Sequence, residues 1–202
     1  MKLYLATSNP GKLRELGALA QAEGFELVPL PDYDRLPRAP EEDASFALNA
    51  LEKALQYSRL CAGLVVADDS GLAVDALNGR PGPHSARYAG PQATDADNNR
   101  KLLAELGGLA EAKRAARYVC VLALARSNRL LALFSDSCAG RILEAPRVAS
   151  GFGYDPLFFF PPLAKTMAEL DVAEKNQHSH RGKAFKALLE YLRGPRPVTR
   201  DP

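Results

Sequence analysis

The sequence is short of several things, and each shortage removes a class of explanation. It holds three cysteines among 202 residues, Cys61, Cys120 and Cys138. An odd number at those spacings matches neither a disulfide framework nor a zinc site, so reduced, buried thiols and a reducing compartment are expected. A surplus of one charge is missing too: Lys and Arg number 26 against 24 Asp and Glu, a formal net charge of +2. That balance does not mark the whole chain as a nucleic-acid or membrane binder, although a local basic cluster could hold a phosphate. The longest apolar run, Tyr118 to Ala125, is far too short to span a bilayer. Leu3 to Thr7, broken by Asn9-Pro10-Gly11, is too short for the apolar core of a signal peptide, and a cytoplasmic protein is expected. Repeats and low-complexity blocks are absent as well.

What is there is a chain that is 47% hydrophobic and long enough to bury a sizeable core in one domain. Leu3 to Thr7 reads as a buried strand, Ser8 to Gly11 as a turn, and Leu13, Leu16, Leu19 and Ala20 fall at helical spacing. Glu26 to Leu30 is a second strand, followed by a proline-rich loop to Pro40. Ser45 can cap a helix reaching about Leu60, and Leu64 to Ala67 reads as a strand ending in Asp68-Asp69-Ser70-Gly71. Asn78 to Gly90, rich in Gly and Pro, is expected to be a long surface loop, after which Thr94 and Asp97 make a near capping box. Arg117 to Ala125 and Leu130 to Ser137 flank Ser127-Asn128-Arg129, a hairpin signal. Thr166 to Leu170 and Lys183 to Leu192 look helical, and Gly194 to Pro202 is expected to fray as a flexible tail behind a single domain over residues 1–193. Helices alternating with strands early and a hairpin later predict an α/β fold with a mixed sheet.

Five segments could carry chemistry. Thr7-Ser8-Asn9-Pro10-Gly11-Lys12 lies where a strand hands over to a helix, whose free N–H groups and positive dipole end suit phosphates. The Walker A spacing is absent, and an ordinary turn with a surface lysine would look the same. Asp68-Asp69 after a strand could hold magnesium against substrate phosphates or orient a water, or could be a solvated acidic turn. Glu41-Glu42-Asp43 could add a metal carboxylate or simply favour the helix dipole. In Gly151-Phe152-Gly153-Tyr154-Asp155 the glycines permit close backbone approach and an aromatic could stack on a base. Lys175 with Ser179-His180-Arg181 offers donors that would favour an oxo group over an amine, unless this is a basic helix start.

In order along the chain, Ala6 to Lys12 with Glu15, Ala67 to Leu72, Pro81-Gly82 with Ser85 to Tyr88, Gly151 to Pro156, Glu174-Lys175 and Ser179 to Gly182 resemble the Ham1/RdgB-type inosine/xanthosine triphosphate pyrophosphatase family. The resemblance covers nearly the whole chain. It implies an ITPase-like fold, two lobes on a long mixed sheet around a central cleft, and hydrolysis of ITP, dITP and XTP to monophosphate and pyrophosphate. It also implies Mg²⁺ and a homodimer. By similarity Thr7, Ser8, Asn9, Pro10, Gly11 and Lys12 hold the triphosphate, Lys12 acting in catalysis as well. Asp69 is the proton acceptor and a metal ligand with Glu41, and Ser70 touches substrate. Phe152, Gly153, Tyr154, Asp155, Lys175, His180 and Arg181 read the base. Three positions depart from the family pattern: Asp43, Leu48 and His84. The first leaves both Glu41 and Glu42 as candidates to face the metal. Two other readings compete: a Maf-type pyrophosphatase for modified pyrimidine nucleotides, and a nucleic-acid-binding module using Lys113-Arg114 and Arg117, which the near-neutral charge disfavours.

Overall fold

A computed structural model of the chain describes residues 1–39, 45–149 and 151–194. Glu41, Glu42 and Asp43 lie outside the described residues, as does the tail beyond Gly194. Among the described residues seven strands form one mixed sheet in the order β2-β1-β3-β4-β5-β6-β7. They are β1 (Lys2–Leu5), β2 (Glu26–Pro29), β3 (Leu64–Val74), β4 (Ala115–Arg126), β5 (Arg129–Ile142), β6 (Phe158–Phe160) and β7 (Lys165–Thr166). The first three run parallel and the remaining pairs are antiparallel. The same residues hold five α-helices: α1 (Pro10–Ala22), α2 (Phe46–Ser58), α3 (Asp95–Glu105), α4 (Val172–His178) and α5 (His180–Arg193). Among the described residues no helix is long and apolar enough to cross a membrane.

Local chemistry explains these boundaries. Asn9 caps α1 by accepting from the Lys12 N–H, with Pro10 at the first helical position. Ser45 caps α2 through the Leu48 N–H, and Thr94 and Asp97 form a full capping box on α3. The β4–β5 hairpin turns at Ser127 and Asn128, both at positive φ, the backbone that a two-residue hairpin needs. Alternation along β3 and β4 separates two cores. Val66, Cys120, Leu122 and Leu124 face α1 and α5 with Leu16, Phe185 and Leu188. Val65, Ala67, Val121 and Ala123 face α2 with Ala50, Ala54 and Tyr57. A third cluster, built on Leu72, Tyr118, Tyr154 and Phe158, packs with α3.

Three expectations need correction. The strand expected to end at Asp68 continues to Val74, so the acidic pair is in its interior. Cations and hydrogen bonds on both faces make that tolerable. The expected surface loop at 78–90 contains a 3-10 segment, Gly82–Arg87, and Gly82, Ser85 and Tyr88 are buried, because Ser85 stands in for a missing strand. Ser85 Oγ accepts from the Leu72 N–H and donates to the Gly82 carbonyl. Thr166 to Leu170 is not an α-helix: β7 gives way to a 3-10 turn closed by a Thr166–Glu169 capping box. Arg114, considered above for nucleic-acid contact, is buried and donates to the carbonyls of Leu106, Leu109 and Leu143, while Arg117 pairs with Asp75.

Candidate active site

The sheet has a gap, and the site fills it. β1 pairs with β3 only as far as Leu5 and Val66, and the Ala6 N–H donates to the Val66 carbonyl before β1 turns away. Two residues on along that edge, the Asp68 carbonyl accepts from Lys53 Nζ (2.9 Å) instead of from a strand. Farther along the same edge, Ser85 takes up the Leu72 N–H. Gly71 is required here, since a Cβ would meet Ser85 Oγ at 2.4 Å and the Gly82 carbonyl oxygen at 2.5 Å. The gap opens into a cavity of about 390 Å³.

Thr7, Ser8, Asn9 and Lys12 reach the cavity wall, as do Asp68, Asp69 and Ser70, and Phe152, Gly153, Tyr154, Asp155, His180 and Arg181. The structure therefore brings most of the sequence-selected residues to one place. Pro10 and Gly11, at the start of α1, do not line the cavity. Gly11 lets the Phe152 loop come close: a Cβ there would sit 2.8 Å from the Phe152 ring. Lys175 is behind the wall, under Phe152 at 4.4 Å from the ring centroid. Glu41 is outside the described residues.

Asp68 is the hub of a buried ion network. Its Oδ2 takes Lys12 Nζ (3.1 Å) and Arg181 Nε (3.1 Å). Arg181 Nη1 donates to Glu15 Oε2 (2.6 Å) and Nη2 to Ser70 Oγ (3.0 Å). Lys175 Nζ joins Glu15 Oε1 (2.5 Å) and also binds Asp155 Oδ2. Burial alone would push the Asp68 carboxyl up, but the charges of Lys12, Arg181 and Lys53 outweigh it and hold the group well below the usual carboxylate range. Arg181 is likewise disfavoured by burial and restored by Asp68 and Glu15, which raise its pKa.

Asp69 is in a different environment. Its Oδ2 accepts from Asn49 Nδ2 (3.0 Å), and Lys53 Nζ lies 3.6 Å from Oδ1. Burial raises this carboxyl, and Lys53, the Asn49 bond and Lys12 only partly oppose it. An oxygen donor at a cavity wall suits Mg²⁺, which takes one or two carboxylates and fills its shell from phosphate and water. Among the described residues no group of three His, Cys, Asp or Glu side chains could hold a metal ion.

The wall built by residues 152–155 is held from behind. Gly153 is gripped by α3 at both ends: its N–H donates to Asp95 Oδ2 (2.6 Å) and its carbonyl accepts from Asn99 Nδ2 (2.9 Å). His180 is buried, its pKa pushed well below the usual histidine value by burial and by Arg181, so the ring is neutral at pH 7. Its Nδ1 has no hydrogen-bond partner among the described residues. Sequence reasoning assigned no role to Asn49, Lys53, Asp95, Asn99 or Tyr118, and quoted Glu15 only as part of the motif. Asn49 and Lys53 did leave a signal: they are polar residues inside the apolar stripe Phe46, Ala50, Ala54 and Tyr57 of α2, where a solvent-facing residue would not fall.

The chain is similar to known proteins over nearly its whole length. Residues 3–191 match the Ham1 family. A dITP/XTP pyrophosphatase of Geobacillus kaustophilus is 50% identical over 189 residues, covering 94% of this chain and 93% of that protein. One from Thermus thermophilus is 48% identical over 199 residues, covering 98% and 95%. Among solved structures, a HAM1 protein from Coxiella burnetii superposes with a TM-score of 0.84 at 37% identity, covering 96% of this chain and all, 100%, of that one. The Staphylococcus aureus Ham1 protein gives 0.83 at 34% identity, covering 96% and 99%. With its mixed sheet, its cavity and this likeness along nearly its whole length, the chain belongs to the Ham1 family.

Proposed function

We propose that the protein hydrolyses the triphosphates of 6-oxopurines outside the normal set, ITP, dITP and XTP, to the nucleoside monophosphate and pyrophosphate, and so clears deaminated purines from the nucleotide pool. One observation carries the reading: a single cavity joins a helix N-terminus with its lysine, an aspartate whose carboxyl is raised by burial, and a stacking aromatic beside buried donors and acceptors. The relatives named dITP/XTP pyrophosphatase support the choice of substrate.

In this reading the positive end of α1 with Ser8, Asn9 and Lys12 binds the phosphate chain. Asp69, with Glu41 or Glu42 as the second carboxylate, would hold Mg²⁺, and the ion would supply positive charge that offsets the phosphate oxygens. Asp69 accepts the proton of the water that attacks the phosphorus kept by the nucleoside. The bond to the next phosphate breaks, and pyrophosphate carries off the negative charge that Lys12 and Lys53 offset. Ser70 contacts substrate while anchoring Arg181. Phe152 stacks on the base, and Gly153, Tyr154, Asp155, His180 and Arg181 line its edge. Lys175 acts from behind by fixing Asp155 and Glu15.

The protein works as one two-lobed unit through residue 193, as a homodimer, in the cytoplasm and without a nucleic-acid partner. Free cysteines and near-neutral charge support the last two points. Chromatography of the products tests the phosphate register: IMP with pyrophosphate is expected from ITP, and IDP with orthophosphate would overturn it.

A further inference from the structure

Asp155 and His180, both on the cavity wall, lean on the same neighbour. Tyr118 lies in β4, opposite Leu72 of β3 and Cys138 of β5. Its hydroxyl donates to Asp155 Oδ1 (3.1 Å). Its ring stacks on the His180 imidazole, with centroids 4.7 Å apart and planes 12° from parallel, and Phe158 packs against the same ring at 4.4 Å. A phenylalanine would keep both ring contacts, so the hydroxyl has one distinct effect. It occupies one oxygen of Asp155 while Lys175 binds the other.

An ionised carboxylate only accepts hydrogen bonds. Hypoxanthine and xanthine present an N1–H donor, whereas adenine N1 is an acceptor. A carboxylate held ionised at the base edge therefore attracts the first and repels the second, and a polar group left facing the wrong partner discriminates strongly. Guanine also carries N1–H, so this device separates oxo- from aminopurines and leaves GTP to other contacts.

We propose that Tyr118 is a specificity-determining positioning residue: its hydroxyl holds Asp155 as a fixed acceptor and its ring holds His180 flat, so that the wall accepts the N1–H of a 6-oxopurine and turns adenine away. The inference rests on the base-reading role given to Asp155 above. The groups facing Asp155 are Tyr118 from β4, Lys175 from α4, Glu15 from α1 and Arg181 from α5, with His180 across the Tyr118 ring. Burial pushes the Asp155 carboxyl up, Lys175 opposes it, Glu15 adds to it and Arg181 subtracts. A hydroxyl donor favours the ionised form, so its removal raises the carboxyl further.

The test compares wild type, Tyr118→Phe, Asp155→Asn and the double variant. Tyr118→Phe is expected to lower the preference for ITP over ATP in kcat/KM about tenfold, mostly through KM for ITP. It should also move the acid limb of kcat/KM for ITP to higher pH. In the Asp155→Asn background the same change should alter the preference by less than about twofold, because the hydroxyl acts through the carboxylate. An unchanged preference and acid limb, or an equal loss in both backgrounds, would overturn the proposal. If wild type turns over ITP no better than ATP, the functional reading itself fails. The Tyr118–Asp155 link is then read without substrate, by ¹³C NMR titration of the Asp155 carboxyl, whose signal is identified by its loss in Asp155→Asn. An upward shift of its pKa in Tyr118→Phe supports the link, and no shift overturns it.

Discussion

Asp68 and Asp69 are neighbours in β3, yet their carboxylates leave opposite faces of the sheet and are perturbed in opposite directions. Asp68 turns toward α1 and α5, where Lys12 and Arg181 keep it ionised. Asp69 turns toward α2, where Asn49 and Lys53 hold it and burial raises it. Both reach the cavity because β1 leaves the sheet at that level. Asp68 thus gathers cations, and in the proposed reaction Asp69 is the base.

Asp69→Asn should lose at least about 100-fold in turnover, the range for removal of a positioned base. The amide keeps the side chain's size, so the melting temperature should change little. Steady-state kinetics with thermal melts check this, and near-normal turnover would remove Asp69 from the reaction.

Arg181→Ala should do more than relax base choice. It removes the cation that buried Asp68 and Glu15 share, and breaking one side of a buried pair costs about 3–5 kcal/mol. Chemical denaturation should show that loss before any kinetic effect is interpreted. Arg181→Lys restores a charge but not the fork that reaches Asp68, Glu15 and Ser70, and should recover only part of it.

Gly11→Ala should be costly although the position is helical. The added Cβ collides with the Phe152 ring, so the base loop must shift while the phosphate groups stay in place. The expected outcome is a higher KM for ITP with an intact fold. An unchanged KM would show that Phe152 does not bear on the base.

Acid should weaken the fold through His180. Its pKa is depressed in the folded state, so below the usual value of 6.5 the unfolded chain takes up a proton that the folded chain refuses. Stability is therefore lost as pH falls below about 6.5. His180→Gln should flatten that part of the melting-temperature profile, and an unaltered slope between about pH 6.5 and 5 would contradict the assignment.

The early strand–turn–helix, the caps at Asn9, Ser45 and Thr94 and the Ser127-Asn128 hairpin were legible because each rests on local chemistry. The continuation of β3 through Asp68-Asp69 was not, since two adjacent acids contradict a buried strand until cations from α1, α2 and α5 are folded against them. The turn at 82–87 was hidden for a related reason: its buried Ser85 completes the edge of a strand that is distant in sequence. In the sequence Lys175 and Arg181 read as donors to a base, yet most of their bonds go to carboxylates, which periodicity cannot reveal. Tyr118 is one apolar-looking position in an apolar strand, and only its bond to Asp155 sets it apart.

The most direct test is pyrophosphate release from ITP, XTP, GTP and ATP, each with Mg²⁺ and with EDTA. The account predicts Mg²⁺-dependent release from ITP and XTP, with ATP and GTP nearly untouched and EDTA abolishing turnover. Equal hydrolysis of ATP, or full activity in EDTA, would contradict it.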